Sequence, residues 1–213
     1  MMAVYDLEEQ EQIDELKAWW KSYGNAILTV VIVASLSVSG VIGWRTYSDR
    51  QALEAGELYA QMQGAAGAND PKKVQDIAAA IAEKYPRTGY AQFAALAAAK
   101  AAFDSGNLAE ARSRLQFVID RAKDDGTRDL ARLRLAVVLL DEKKFDDALA
   151  ALKAPAVEAL AALYADLRGD VLVAQGKPAE ARAAYQLALD KSDAKSQYRG
   201  ILQGKLDALG DAK

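Results

Sequence analysis

Histidine and cysteine are both absent from the 213 residues, so the side chains left for proton chemistry are chiefly carboxylates and tyrosines. Adjacent acids occur at Asp124-Asp125 and Asp146-Asp147. Such pairs can act as general acid and base when their surroundings push their pKa values apart. Both pairs, however, lie beside lysines at the ends of predicted helices, where acids stay solvated or favour a helix amino terminus. An enzyme resting on carboxylates and tyrosines alone, with Asp166 and Asp170 as its acids, is the one competing catalytic reading. Without thiols, disulfides, thiolate metal sites, thiol nucleophiles and a lipidated amino-terminal cysteine are excluded. Without imidazole, the commonest metal ligand and the commonest general base near neutral pH are missing. No glycine-rich phosphate loop, metal-ligand cluster, calcium loop or nucleophile elbow can be read in the chain. These residue types predict a protein that binds rather than catalyses, with no cofactor and no metal.

The elements that must hold these side chains are helical. Hydrophobic residues make up 52% of the chain, much of that fraction is alanine, and there are only four prolines and four phenylalanines. This favours closely packed helices over sheets, and the predicted class is all-α. Formal net charge is −3. Residues 1–44 carry six acids against Lys17 and Lys21, which leaves the remainder at +1. A nearly neutral domain lacks the basic stripe that nucleic-acid binding requires. The arginine-dense stretch from Arg112 to Arg134 is interleaved with Asp120, Asp124, Asp125 and Asp129, and reads as a solvated helix face.

Residues 26–44 (AILTVVIVASLSVSGVIGW) form a run of nineteen apolar or small residues with no charge between Lys21 and Arg45. At about 1.5 Å per residue such a helix reaches roughly 30 Å, the thickness of a bilayer's hydrocarbon core. Ten of the nineteen are Ile, Leu or Val, contributing roughly −3 to −6 kcal/mol to insertion before the smaller penalties of Thr29, Ser35, Ser37 and Ser39. Trp19, Trp20 and Tyr23 on one side, and Trp44 and Tyr47 on the other, suit the two interfaces. Ser37-Val38-Ser39 loosely fits a signal-peptidase site, but the preceding region is long and acidic and the apolar run continues to Trp44, so an uncleaved anchor is expected. The positive charges tie, with Lys17 and Lys21 before the span and Arg45 and Arg50 after it. Orientation is therefore open on charge alone. Residues 5–23 place apolar groups at roughly helical spacing, which fits either a short amphipathic helix on the membrane or a disordered tail.

Beyond the span, three segments align without internal gaps: residues 96–115, 133–152 and 166–185. Ala99, Ala136 and Gly169 correspond, as do Ala111, Ala148 and Ala181 twelve residues later, then Leu115, Leu152 and Tyr185. Each unit reads as two helices around a polar turn, at Ser105-Gly106-Asn107, Glu142-Lys143-Lys144 and Gln175-Gly176-Lys177. Small residues mark where helix axes approach closely. The arrangement resembles the tetratricopeptide repeat, although the initial tryptophan is absent from all three units. A degenerate earlier unit spans 52–86, its second helix opened by Asn69-Asp70-Pro71 and ended by Pro86. Residues 198–209 form a terminal helix that shields the last repeat. The expected architecture is an α-solenoid of about four helical hairpins with a carboxy-terminal capping helix, with an irregular bundle as the alternative.

A solenoid of this kind presents a concave surface lined by the first helix of each unit. The repeat register puts Phe93, Lys100, Asp104, Val137, Asp141, Asp166 and Asp170 there. Such a mixture of apolar and charged groups suits an extended peptide or a partner's helix.

Gly43-Trp44-Arg45 with Tyr47 at the end of the span, and Ala165-Asp166-Leu167-Arg168-Gly169-Asp170 opening the last repeat, resemble the YfgM family, and the layout agrees over essentially the whole chain. That resemblance implies a bacterial inner-membrane protein acting as an ancillary subunit of the Sec translocon. Its implied partners are SecYEG, a PpiD-like periplasmic chaperone and exported polypeptides. It also implies a cytoplasmic tail at residues 1–25, a transmembrane helix at 26–44 and a periplasmic domain at 45–213. A scaffold for another cell-envelope assembly, using the same surface, is the alternative function.

Overall fold

A computed structural model describes the backbone of residues 3–210 and the side chains of residues 11–210. The described residues are helical and turn in type, with no strand among them. The chain divides between Gln51 and Ala52 into two compact units.

The first unit consists of most of helix α1 (Ala3–Gly67). Helix occupies the described part of the tail and runs without a break into the apolar stretch, so residues 5–23 form neither a separate short helix nor a disordered tail. The limits expected at 25/26 and 44/45 fall inside α1 and are changes of side-chain chemistry rather than breaks in the backbone. Leu28, Val30, Val31, Ile32, Val33, Leu36, Val38, Val41 and Ile42 are all exposed, on every side of the helix, which water would not tolerate over so large an apolar surface. The helix is long and apolar enough to cross a membrane. Three hydroxyls in it donate back to carbonyls one turn earlier: Thr29 to Asn25 at 2.8 Å, Ser37 to Val33 at 2.8 Å and Thr46 to Ile42 at 3.0 Å. For Thr29 and Ser37, inside the apolar stretch, this satisfies the hydroxyl where no water is available. Trp19 lies 5.8 Å from Tyr23, and Trp44 6.2 Å from Tyr47, ring to ring.

In the second unit, the last turns of α1 pair with α2 (Pro71–Lys84), followed by α3 (Gly89–Asp104) with α4 (Leu108–Arg121), α5 (Asp125–Asp141) with α6 (Phe145–Ala151), and α7 (Ala161–Ala174) with α8 (Pro178–Lys191). Helix α9 (Tyr198–Ala208) closes the stack against α8. These are the four hairpins and cap expected from the repeat pattern. Asp70 accepts from the Lys73 amide at 3.0 Å, Asn107 from Glu110 at 3.2 Å and Asp124 from Thr127 at 2.7 Å. Each cap satisfies a helix-end donor that would otherwise lack a partner.

The hairpin turns share one geometry. Asn69, Gly106, Lys143 and Gly176 all have positive φ, at 56°, 78°, 59° and 75°. The following amide in each case bonds back five residues, Asp70 to Ala65, Asn107 to Ala102, Lys144 to Leu139 and Lys177 to Leu172. This left-handed termination closes the helix and redirects the chain. The corresponding small residues Ala99, Ala136, Ala111, Ala148 and Ala181 are buried, and so is Gly169. Ala55, Met62 and Ala65 of α1 share a core with Val74, Ala78 and Ile81 of α2 and with Ala91, Ala94 and Ala98 of α3. Helix α6 is shorter than its repeat counterparts; Pro155 follows, and the chain turns through a one-turn 3-10 helix at Glu158–Leu160 into α7.

Candidate functional site

Helices α3 and α5 carry Lys100, Asp104 and Val137 to one cavity of about 350 Å³. Its walls are mainly apolar, formed by Ala99, Phe103, Leu115 and Val138, with Arg134 on the α5 side. Lys100 and Asp104, one turn apart on α3, pair at 2.5 Å. Both are well exposed, so the pair is worth at most a few tenths of a kcal/mol, about 0.3–0.5 for such a helix pair. Phe93 is 49% exposed and stands farther along α3 against Tyr59, 6.3 Å between rings. Tyr59 also meets Tyr90 at 5.6 Å, which gives the amino-terminal part of this surface an aromatic patch. Asp141 is exposed at the end of α5 and does not line the cavity.

Asp166 and Asp170 are placed differently from the open surface that repeat register suggests. Asp166 is only 7% exposed. Both carboxylates receive Lys205 of α9, whose ammonium lies 2.8 Å from Asp166 Oδ1 and 2.7 Å from Asp170 Oδ1. The Tyr198 hydroxyl also donates to Asp166, and Tyr185 donates to Asp170 at 2.8 Å. Burial opposes the Lys205 charge, but the two carboxylates outweigh it and raise its pKa. Burial, followed by the hydrogen bond to a carboxylate, raises the pKa of Tyr185 and of Tyr198. The network fastens α9 to α7, so these two acids hold the cap.

Among the charged residues of the Arg112 to Arg134 stretch, one is buried rather than solvated. Asp129 is 1% exposed. Its Oδ2 accepts the amides of Ala156 and Val157 at 2.7 and 3.0 Å, and Arg132 approaches Oδ1 at 3.3 Å. The Tyr164 hydroxyl donates to its backbone carbonyl at 2.7 Å. Asp129 thus pins the irregular segment between α6 and α7, donors that otherwise would lack a partner. Asp124 caps α5, and Asp125, Asp146 and Asp147 lie in first helical turns, the arrangement the dipole favours.

Sequence reasoning did not single out Arg134, Lys205 or Asp129. The first two had a readable signal. Arg134 is one turn before Val137 on the same helix, and Lys205 is a cation in the cap facing a carboxylate pair at i, i+4. Asp129 had none, because its partners are backbone amides about 27 residues away.

A family model described as a tetratricopeptide repeat-like domain matches residues 17–211. The chain is 36% identical over 212 residues to a Neisseria gonorrhoeae protein named ancillary SecYEG translocon subunit, covering 95% of this chain and 98% of that one. It is 31% identical over 211 residues to an Escherichia coli protein of the same name, covering 98% and 99%. A Haemophilus influenzae protein, again so named, is 29% identical over 188 residues, covering 86% and 90%. With likeness running from the apolar helix through every hairpin to the cap, this chain belongs to the YfgM family of tetratricopeptide repeat-like proteins.

Proposed function

We propose that this protein is a membrane-anchored interaction adaptor that serves as an ancillary subunit of the Sec translocon. The observation that carries this reading is its likeness, over nearly the full length of both chains, to relatives named for that role. Residues 26–44 are the span, with residues 1–25 cytoplasmic and 45–213 periplasmic. The charges flanking the span tie, so this orientation rests on the family resemblance.

The physical role of the anchor is confinement. Holding a solenoid beside a channel raises the effective concentration of whatever emerges there, so a weak groove can still be occupied. The surface of Phe93, Lys100, Asp104, Val137 and Asp141 is the partner-holding face. Asp166 and Asp170, engaged by Lys205, Tyr198 and Tyr185, hold the cap and leave partner contact to the other five residues. A PpiD-like periplasmic chaperone and exported polypeptides are its partners. The residue types support a binding role, since the carboxylates in paired positions serve helix ends and the docking of α9.

Affinity purification of the full chain from gently crosslinked inner membranes tests this. SecYEG and a PpiD-like chaperone are expected in the eluate, and recovery of a different envelope complex without SecYEG would replace the reading with the scaffold alternative.

A further inference from the structure

The gap between α3 and α5 differs from the next one along the stack. Helix α3 packs on α4 and α4 on α5, whereas α5 also packs directly on α7. In that second gap Tyr164 is buried and bonded to the α5 backbone. The first gap is instead open over about 350 Å³, with Leu115 of α4 among the residues lining it and Phe103, Val137 and Val138 beside it.

Its charge is uncompensated in one place. Lys100 is neutralised by Asp104. Arg112, Arg114, Arg128 and Arg132 each pair with a carboxylate. Arg134 is exposed, lines the cavity and makes no ion pair or hydrogen bond among the described residues. An apolar recess with one free guanidinium at its wall is complementary to an apolar side chain accompanied by a carboxylate, since a guanidinium binds a carboxylate through two parallel hydrogen bonds. In an extended chain, side chains two residues apart point to the same side, about 7 Å from one another. A leucine can therefore enter the recess while an acid two positions on reaches Arg134.

We propose that the α3–α5 gap is a peptide subsite that takes an extended segment carrying an aliphatic residue and, two residues later, Asp or Glu. It rests on the adaptor reading and assigns the chemistry of its client. The apolar wall supplies the non-directional part of binding, and Arg134 supplies the preference for an acid.

The test is fluorescence anisotropy on the full-length protein in detergent micelles. The probes are a short labelled peptide with Leu-Ser-Asp at its centre and its Leu-Ser-Asn counterpart. The Asp peptide is expected to bind about tenfold more tightly, the scale of one charge-assisted hydrogen bond. Arg134→Gln, an exposed position whose substitution leaves the core intact, should abolish that preference. Val137→Asp should weaken both peptides. Equal binding of the two peptides, a preference that survives Arg134→Gln, or no saturable binding of either up to millimolar concentration overturns the subsite. Retention of SecYEG alongside such a result would remove the subsite alone. Loss of SecYEG with the acid preference intact would instead remove the translocon reading and keep the subsite.

Discussion

The ring of Tyr185 lies against the bare backbone of Gly169: a Cβ at Gly169 would sit 2.3 Å from Tyr185 Cε1 and 2.4 Å from Cδ1. In the two preceding hairpins the corresponding pairs are Ala99 with Leu115 and Ala136 with Leu152, all buried. A larger partner in the last repeat goes with a smaller residue facing it. The ring cannot swing aside freely, because its hydroxyl is bonded to Asp170 at 2.8 Å. Gly169→Ala should therefore destabilise the domain by about 1–3 kcal/mol, the usual cost of overpacking. Thermal unfolding of the full chain in detergent measures it. Adding Tyr185→Leu to that variant should recover part of the loss, and no recovery would mean that the strain lies elsewhere.

Asp129 holds the amides of Ala156 and Val157 from a position 1% exposed. Asp129→Ala leaves both donors without their acceptor and should cost about 1–3 kcal/mol. Tyr164→Phe removes one neutral bond and should cost about 1 kcal/mol. Amide hydrogen exchange at Ala156 and Val157 should accelerate strongly in the first variant. Burial, with the Asp129 charge second, pushes the Tyr164 pKa up to about 12. Its hydroxyl thus stays a donor throughout the physiological range.

Alkaline pH should loosen the cap. Lys205, Tyr185 and Tyr198 all have folded pKa values above their ordinary ones. Each binds its proton more tightly in the folded state, so their contribution is complete below about pH 10 and is lost as pH rises through the elevated values. Near-ultraviolet dichroism followed upward from about pH 10 should show this loss. Lys205→Met should weaken the docking of α9 already at neutral pH and flatten the alkaline transition. An unchanged profile would show that the network does not hold the cap.

Lys143 occupies the left-handed position that Gly106 and Gly176 fill in the neighbouring hairpins. A side chain there costs roughly 1–2 kcal/mol, partly offset because glycine gains more freedom when unfolded. Lys143→Gly should stabilise the protein by about 0.5–1 kcal/mol in denaturant titration. Gly106→Ala and Gly176→Ala should do the reverse.

The hairpins were legible because alanine, glycine and turn residues recur at fixed offsets, and those offsets are set by where two helices touch. Ala111, Ala148 and Ala181 are each fully buried, as their alignment required. The apolar run was legible from its lack of any charge over a bilayer's thickness. Register placed Lys100, Asp104 and Val137 on one cavity. It could not tell an open acid from one already paired: Asp166 and Asp170, which register put on the open surface, are joined to Lys205 of the cap. Asp129 was hidden for a different reason. Its partners are amides of an irregular segment, and local sequence carries no mark of a long-range bond to backbone.

The central claim, a solenoid tethered at the translocon with its concave face occupied, is most directly tested by photocrosslinking in intact inner membranes from a benzoylphenylalanine placed at Val137. Adducts to a PpiD-like chaperone or to an exported chain, in complexes that also contain SecYEG, are the expected result. A Val137 probe that yields no adduct, on a chain that washes from the membrane free of SecYEG, would contradict it.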